Sequence, residues 1–191
     1  MPTVMTHAVA AMALVAAFPP RVVPRRLMWM GAACAMLPDF DVLGLPLGVP
    51  YGSLLGHRGL THSLAFAAGV AGVAYLAAWL RPASERPRGW VWLYLFLATA
   101  SHGALDACTN GGLGVAFFSP FDPTRHFGAF TPIAVSPIGA RFFSARGLAV
   151  LRSEFLWVWL PSLAFAAAAV AIRRTVDRPT RAPARTALRE R

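Results

Sequence analysis

The chain has 191 residues and a net charge of +10, carried by 18 arginines and no lysine. Apolar residues make up 57% and charged residues only 14%, against about 25% charged in a soluble domain. This excludes an ordinary soluble domain and points to a single-domain integral membrane protein. Basic loops are what such a protein needs. No nucleic-acid partner is expected, because no basic stripe with interleaved aromatics and no nucleic-acid motif is present. The two cysteines, Cys34 and Cys108, are too few for a disulfide framework.

Residues 5–18 form the first apolar segment, closed by Pro19-Pro20. The first basic residues, Arg21, Arg25 and Arg26, come after it, the reverse of a secretory signal. This predicts a retained helix with its N-terminus outside. Residues 27–37, closed by Pro38, form a second short segment, and the two together read as a tilted or partly inserted hairpin. Residues 63–80, 90–107 and 155–172 are each near the roughly 20 residues that cross a bilayer. The expected fold is therefore all-α, a polytopic membrane bundle of about five helices.

Alternating the segments puts residues 19–26, 81–89 and 173–191 on one side with thirteen of the arginines. The other side keeps Arg58, Arg125, Arg141, Arg146 and Arg152. The positive-inside rule makes the first side cytoplasmic. Residues 1–172 then form the membrane-embedded domain, and residues 173–191 a disordered, arginine-rich cytoplasmic tail that anchors the topology and touches anionic lipid. The outer loop, residues 108–153, is dense in phenylalanine, proline and glycine. It reads as a packed cap or a substrate-facing lid, with Asp122 and Glu154 as loop and interface residues.

On this topology seven ionisable residues fall at one membrane level. His7 lies near the outer end of the first helix, and Asp39 and Asp41 follow the second. His57 and His62 precede the third, and His102 and Asp106 close the fourth. His102 and Asp106, four residues apart, share one helix face. An imidazole and carboxylate set without thiolate suits zinc, and also manganese or iron. Seven groups exceed the needs of one tetrahedral ion with an open position, so one or two divalent ions are expected, two more naturally. A pair of ions activates water and clamps both oxygens in displacement at phosphorus. Asp39 is expected to orient the water or act as general base. Arg58, and Arg125 with it, is expected to neutralise a phosphate. Thr61 or Ser63 suits the cap of the third helix, whose N-terminus favours an anion. His126 is a weaker candidate ligand.

His7, Pro38-Asp39-Phe40-Asp41, His57-Arg58-Gly59-Leu60-Thr61-His62-Ser63 and Ser101-His102-Gly103-Ala104-Leu105-Asp106 resemble the YdjM-like membrane-bound metal-dependent hydrolases. The likeness covers about residues 5–140, and the His-Arg-Gly-x-Thr-His-Ser stretch is its most specific part. The resemblance implies a metal site in a bacterial inner-membrane protein. It also implies a distant similarity to zinc-dependent phospholipase C, where a His-x-x-x-Asp pair like His102 and Asp106 bridges metals. The expected activity is hydrolysis of a phosphoester, in a phospholipid or lipid-linked phosphate, at the outer interface. The alternative is a non-enzymatic protein with a structural or transport metal site.

Overall fold

The computed structural model describes residues 1–19, 25–80 and 89–176. Among them the chain is all-helical, with two isolated β-bridges and no strand. Its helices are α1 (Val4–Leu14), α2 (Arg25–Met36), α3 (Leu64–Trp79), α4 (Gly89–Ala107), α5 (Ala145–Glu154) and α6 (Leu160–Val176). A π-turn, Phe155–Trp159, joins α5 to α6, so the two form one rod of 32 residues. The described residues thus make five helical rods, as the hydropathy pattern predicts.

The organising element is α4. Its buried residues, Val91, Tyr94, Leu95, Ala98, Thr99, His102, Gly103, Asp106 and Ala107, recur every three or four positions and form one face. That face packs against α1, α2 and α3. Its lower turns meet Ala11, Cys34, Ala35 and Ala71 in the core. Small residues at these crossings let the helix backbones approach closely, as in membrane bundles. The last two turns of the same face are His102 and Asp106, so the core changes from apolar to ionisable at one end of the bundle.

Two boundaries differ from the hydropathy reading. The second segment does not stop at Pro38: a 3-10 helix, Leu37–Gly44, continues it and carries Asp39 and Asp41. Pro38 sits in the first turn, where its missing N–H is no loss. With this extension Arg25–Gly44 reaches 20 residues and, like the Ala145–Val176 rod, is long and apolar enough to cross a membrane. The second segment is therefore longer than the hydropathy reading made it. α3, Leu64–Trp79, covers nearly the whole apolar run 63–80. The outer loop also ends early, because residues 145–154 are helical. Arg146, Arg152 and Ser153 hide that helix from a hydropathy scan, but Gly147, Val150 and Glu154 form its buried face.

Glu154 is the clearest departure at this level. It was expected at an interface and is fully buried. Its carboxylate accepts hydrogen bonds from the Thr3 hydroxyl (2.6 Å), the Thr6 hydroxyl (2.7 Å) and the Thr3 amide. These cap the first turn of α1 from the far end of the sequence. Residues 20–24, 81–88 and 177–191, which hold most of the arginines expected on the cytoplasmic side, lie outside the described residues, and residues 173–176, expected in the tail, are the last turn of α6.

The remaining loop packs as a cap. Val115 and His126 exchange backbone hydrogen bonds of 2.9 Å, Ala116 donates to the Arg58 carbonyl at 3.0 Å, and Leu64 donates to the Phe117 carbonyl at 2.9 Å.

Candidate metal centre

The fold brings all seven predicted residues to the ionisable end of the α4 face. Six of them, all but Asp41, form two three-donor groups, His7/His102/Asp106 and Asp39/His57/His62, with the ligand atoms of each group within 4.8 Å of one another. The two groups adjoin. Asp39 Oδ1 lies 3.3 Å from His102 Nε2, and Asp106 Oδ2 lies 3.4 Å from His62 Nε2. A tetrahedral ion with bonds of about 2.1 Å holds its ligand atoms about 3.4 Å apart. The two inter-group spacings match that edge length, and within the groups His7 Nε2–Asp106 Oδ1 at 3.6 Å and His62 Nε2–Asp39 Oδ1 at 3.9 Å lie slightly above it.

Hydrogen bonds fix which nitrogen of each histidine is free. His102 Nδ1 lies 2.7 Å from the Ala35 carbonyl. A carbonyl only accepts, so Nδ1 carries the hydrogen and Nε2 presents its lone pair. Asp41 does the same for two histidines at once. Its Oδ1 faces His57 Nδ1 at 2.7 Å and its Oδ2 faces His62 Nδ1 at 3.2 Å. Oδ2 also accepts from the Thr61 hydroxyl at 2.6 Å and the Arg58 amide at 3.3 Å. The His-Arg-Gly-x-Thr-His stretch is thus wound around one carboxylate. Asp41 was expected to be a ligand, but its oxygens are occupied in aiming the ligands. Carboxylates commonly stand behind metal-binding histidines in this way.

The outcome is a set of electron pairs with nothing to receive them. His62 Nε2 and His102 Nε2 face each other at 3.0 Å. Both nitrogens of His7, both oxygens of Asp39 and Asp106 Oδ1 are buried without a hydrogen-bond partner. Unpaired buried acceptors are costly. Charge tells the same story. Asp39, Asp41 and Asp106 stand against the guanidinium of Arg58, all with buried side chains, so the side chains alone leave two negative charges over, which the Met1 amino group near Asp106 and Asp39 offsets in part. Burial pulls the His62 imidazole down, but Asp106 and Asp41 outweigh it and hold the group at about 9. One retained proton there still leaves His7 and Asp39 unmatched. These residues therefore fit a divalent cation.

Both arginines do something other than expected. Arg58 is fully buried at a φ of +65°, an uncommon conformation for a non-glycine residue. Its Nε donates to Asp106 Oδ2 at 2.9 Å, and its terminal nitrogens donate to the Gly111 carbonyl (2.8 Å) and the Thr109 hydroxyl (2.7 Å). It orients a carboxylate of the site and does not present a fork to a phosphate. Arg125 donates to the carbonyls of His57, Tyr51 and Ser53 at 3.1–3.3 Å and ties the cap to the histidine loop. His126 lies outside both donor groups, its ring against Phe118.

Sequence reasoning missed several supporting residues. The Ala35 carbonyl carries no side-chain signal. Thr61 was a candidate cap, but Ser63 takes that role, accepting from the Phe66 amide at 3.0 Å. Gly103 was read only as part of a motif. A Cβ there would stand 2.7 Å from the His62 carbonyl oxygen, so glycine is what lets the histidine loop lie against α4.

A helical membrane-type bundle with a buried histidine–carboxylate cluster at one end is the class these features define. The chain belongs to the family described as YdjM inner membrane protein, whose model matches residues 1–176. It is 40% identical over 166 residues to inner membrane protein YbcI of Escherichia coli (strain K12), covering 85% of this chain and 94% of that relative. No solved structure matches the chain.

Proposed function

We propose that the protein is a metal-dependent hydrolase of the bacterial inner membrane, acting on a phosphoester. The observation that carries this reading is the buried donor set of His7, Asp39, His57, His62, His102 and Asp106, in which both nitrogens of His7, both oxygens of Asp39 and Asp106 Oδ1 have no hydrogen-bond partner. A bound divalent ion supplies Lewis acidity, lowering the pKa of a water and polarising a phosphoryl oxygen. The rest is done by the chain. Asp41 and the Ala35 carbonyl hold three imidazoles in the tautomer that turns Nε2 inward. Arg58 fixes Asp106. Asp39 is the carboxylate of the set that lines a cavity, and it takes the proton of the attacking water on an unpartnered oxygen. Two ions against the two surplus negative charges leave room for the charge of a phosphate, which favours a phosphoester over a neutral ester. Neither Arg58 nor Arg125 is needed for that balance.

The test is metal content and phosphate release measured in parallel on purified full-length protein. Wild type should bind zinc or manganese and cleave a phosphomonoester, a phosphodiester or a phospholipid. Asp39→Asn and His102→Ala should lose activity together with metal. Fully metallated wild type that releases nothing from any of the three substrate types would leave a structural metal site as the better reading.

A further inference from the structure

Beside the centre lies a cavity of about 590 Å³, walled by the N-terminal turn of α1, the 3-10 helix after α2, the 136–142 segment and α5. Its walls include Met5, Phe40, Leu43, Ile138 and Phe142, and the carboxylate at its edge is Asp39. Phe40 and Leu43 are 63% and 62% exposed, so large apolar side chains stand open along it. Asp39 itself is 7% exposed, and neither of its oxygens has a partner.

We propose that this cavity takes one acyl chain of a glycerophospholipid, whose headgroup is thereby presented at Asp39. This names the substrate class of the hydrolase reading and rests on it. Three features select the occupant. The cavity is apolar along most of its length, and its ionisable groups are Asp39 and the Met1 amino group, which is the polarity of an amphiphile. It abuts a donor set that wants a cation, and a cation draws an anionic headgroup. Its volume falls within the roughly 300–1,000 Å³ that holds one drug-sized ligand, which suits a single acyl chain and is far too small for a polyprenyl tail. A lipid chain already in the bilayer gains little hydrophobic energy by entering. The cavity therefore positions and selects, and does not extract.

The experiment uses zinc-loaded full-length protein in detergent and a phosphatidic acid with a diazirine near the end of one acyl chain. Cross-links are expected on the peptides holding residues 36–43 and 136–142. Ile138→Trp, whose larger side chain fills the cavity and excludes the chain sterically, should cut them about tenfold. Labelling of the exposed side of α6, at Leu160 and Leu163, should stay unchanged and report ordinary surrounding lipid. Labelling as strong on α6 as in the cavity, or unaffected by Ile138→Trp, overturns the proposal. So does displacement of the probe by polyprenyl phosphate more readily than by unlabelled phosphatidic acid. If Ile138→Trp does not fold, wild type decides alone: lysophosphatidic acid should compete with the probe and glycerol phosphate should not, and equal competition overturns the assignment. Cavity labelling with no hydrolysis of any lipid refutes the hydrolase reading and keeps the chain site. Hydrolysis of a chainless phosphodiester without cavity labelling does the reverse.

Discussion

Replacing Asp41 with asparagine tests the division of labour in the centre. Four donors converge on this carboxylate: His57 Nδ1, His62 Nδ1, the Thr61 hydroxyl and the Arg58 amide. Asparagine has nearly the same shape but only one accepting oxygen, and its amide nitrogen can only donate. Whichever histidine faces that nitrogen must accept on Nδ1 and so must move its hydrogen to Nε2. The Nε2 lone pair aimed into the site is then lost. One of the donors in the Asp39/His57/His62 group disappears without any ligand being mutated. Removing the group behind a metal-bound histidine typically weakens binding about 10–100-fold, or roughly 1.4–2.8 kcal/mol. The assay is zinc affinity by competition with a chromogenic chelator, run beside Asp39→Asn and with thermal unfolding as a fold control. Asp39→Asn removes a ligand oxygen directly and should cost more. Zinc binding by Asp41→Asn equal to wild type would refute the orienting role. A loss equal to that of Asp39→Asn would show that Asp41 binds the ion itself.

Arg58→Ala should destabilise the metal-free protein by about 3–5 kcal/mol, because it leaves the buried Asp106 carboxylate uncompensated; thermal unfolding with and without zinc should show a smaller loss when metal is present. Arg58→Lys should recover only part, since lysine cannot reach Asp106, Thr109 and Gly111 with a planar fork. Gly103→Ala should gain helix propensity of up to about 1 kcal/mol yet lose about 1–3 kcal/mol to overpacking against the His62 carbonyl, and its net effect should be read as weakened zinc affinity. Zinc uptake should also release protons near pH 7.5, because His62 stays protonated up to about 9 without metal and must give up Nε2 to bind; a pH-stat titration that records no release contradicts this.

The helices were legible where hydropathy and burial coincide. The α4 face could be read in full, because apolar residues and the His102–Asp106 pair share one spacing. The convergence of the seven residues could also be read, since each lies at a helix end and alternation sends those ends to one level. What failed was local. Hydropathy ends α2 at a proline and cannot see that a 3-10 turn starts there. It stops the last helix at the first polar cluster, although Glu154 is polar for a buried partner. The ranking of Asp39 above or below Asp41 was out of reach, because the two differ only in what stands opposite them. Asp41 meets the Nδ1 side of the histidine loop, and Asp39 meets the Nε2 atoms of His62 and His102 without a hydrogen-bond donor. Arg58 was misread because an arginine between two histidines suggests an anion, and nothing in the linear sequence says that the anion is Asp106.

The grip of Glu154 on Thr3 and Thr6 joins residues 151 and 148 positions apart. A ribosome makes α1 first and this lock late. During synthesis α1 can already pack on α2 and α4, but the Thr3 and Thr6 hydroxyls at its first turn wait for Glu154. The helix that carries His7 thus gains its last anchor only when the final rod is in place, and an insertion fault there should loosen the His7/His102/Asp106 group before it disturbs the Asp39/His57/His62 group.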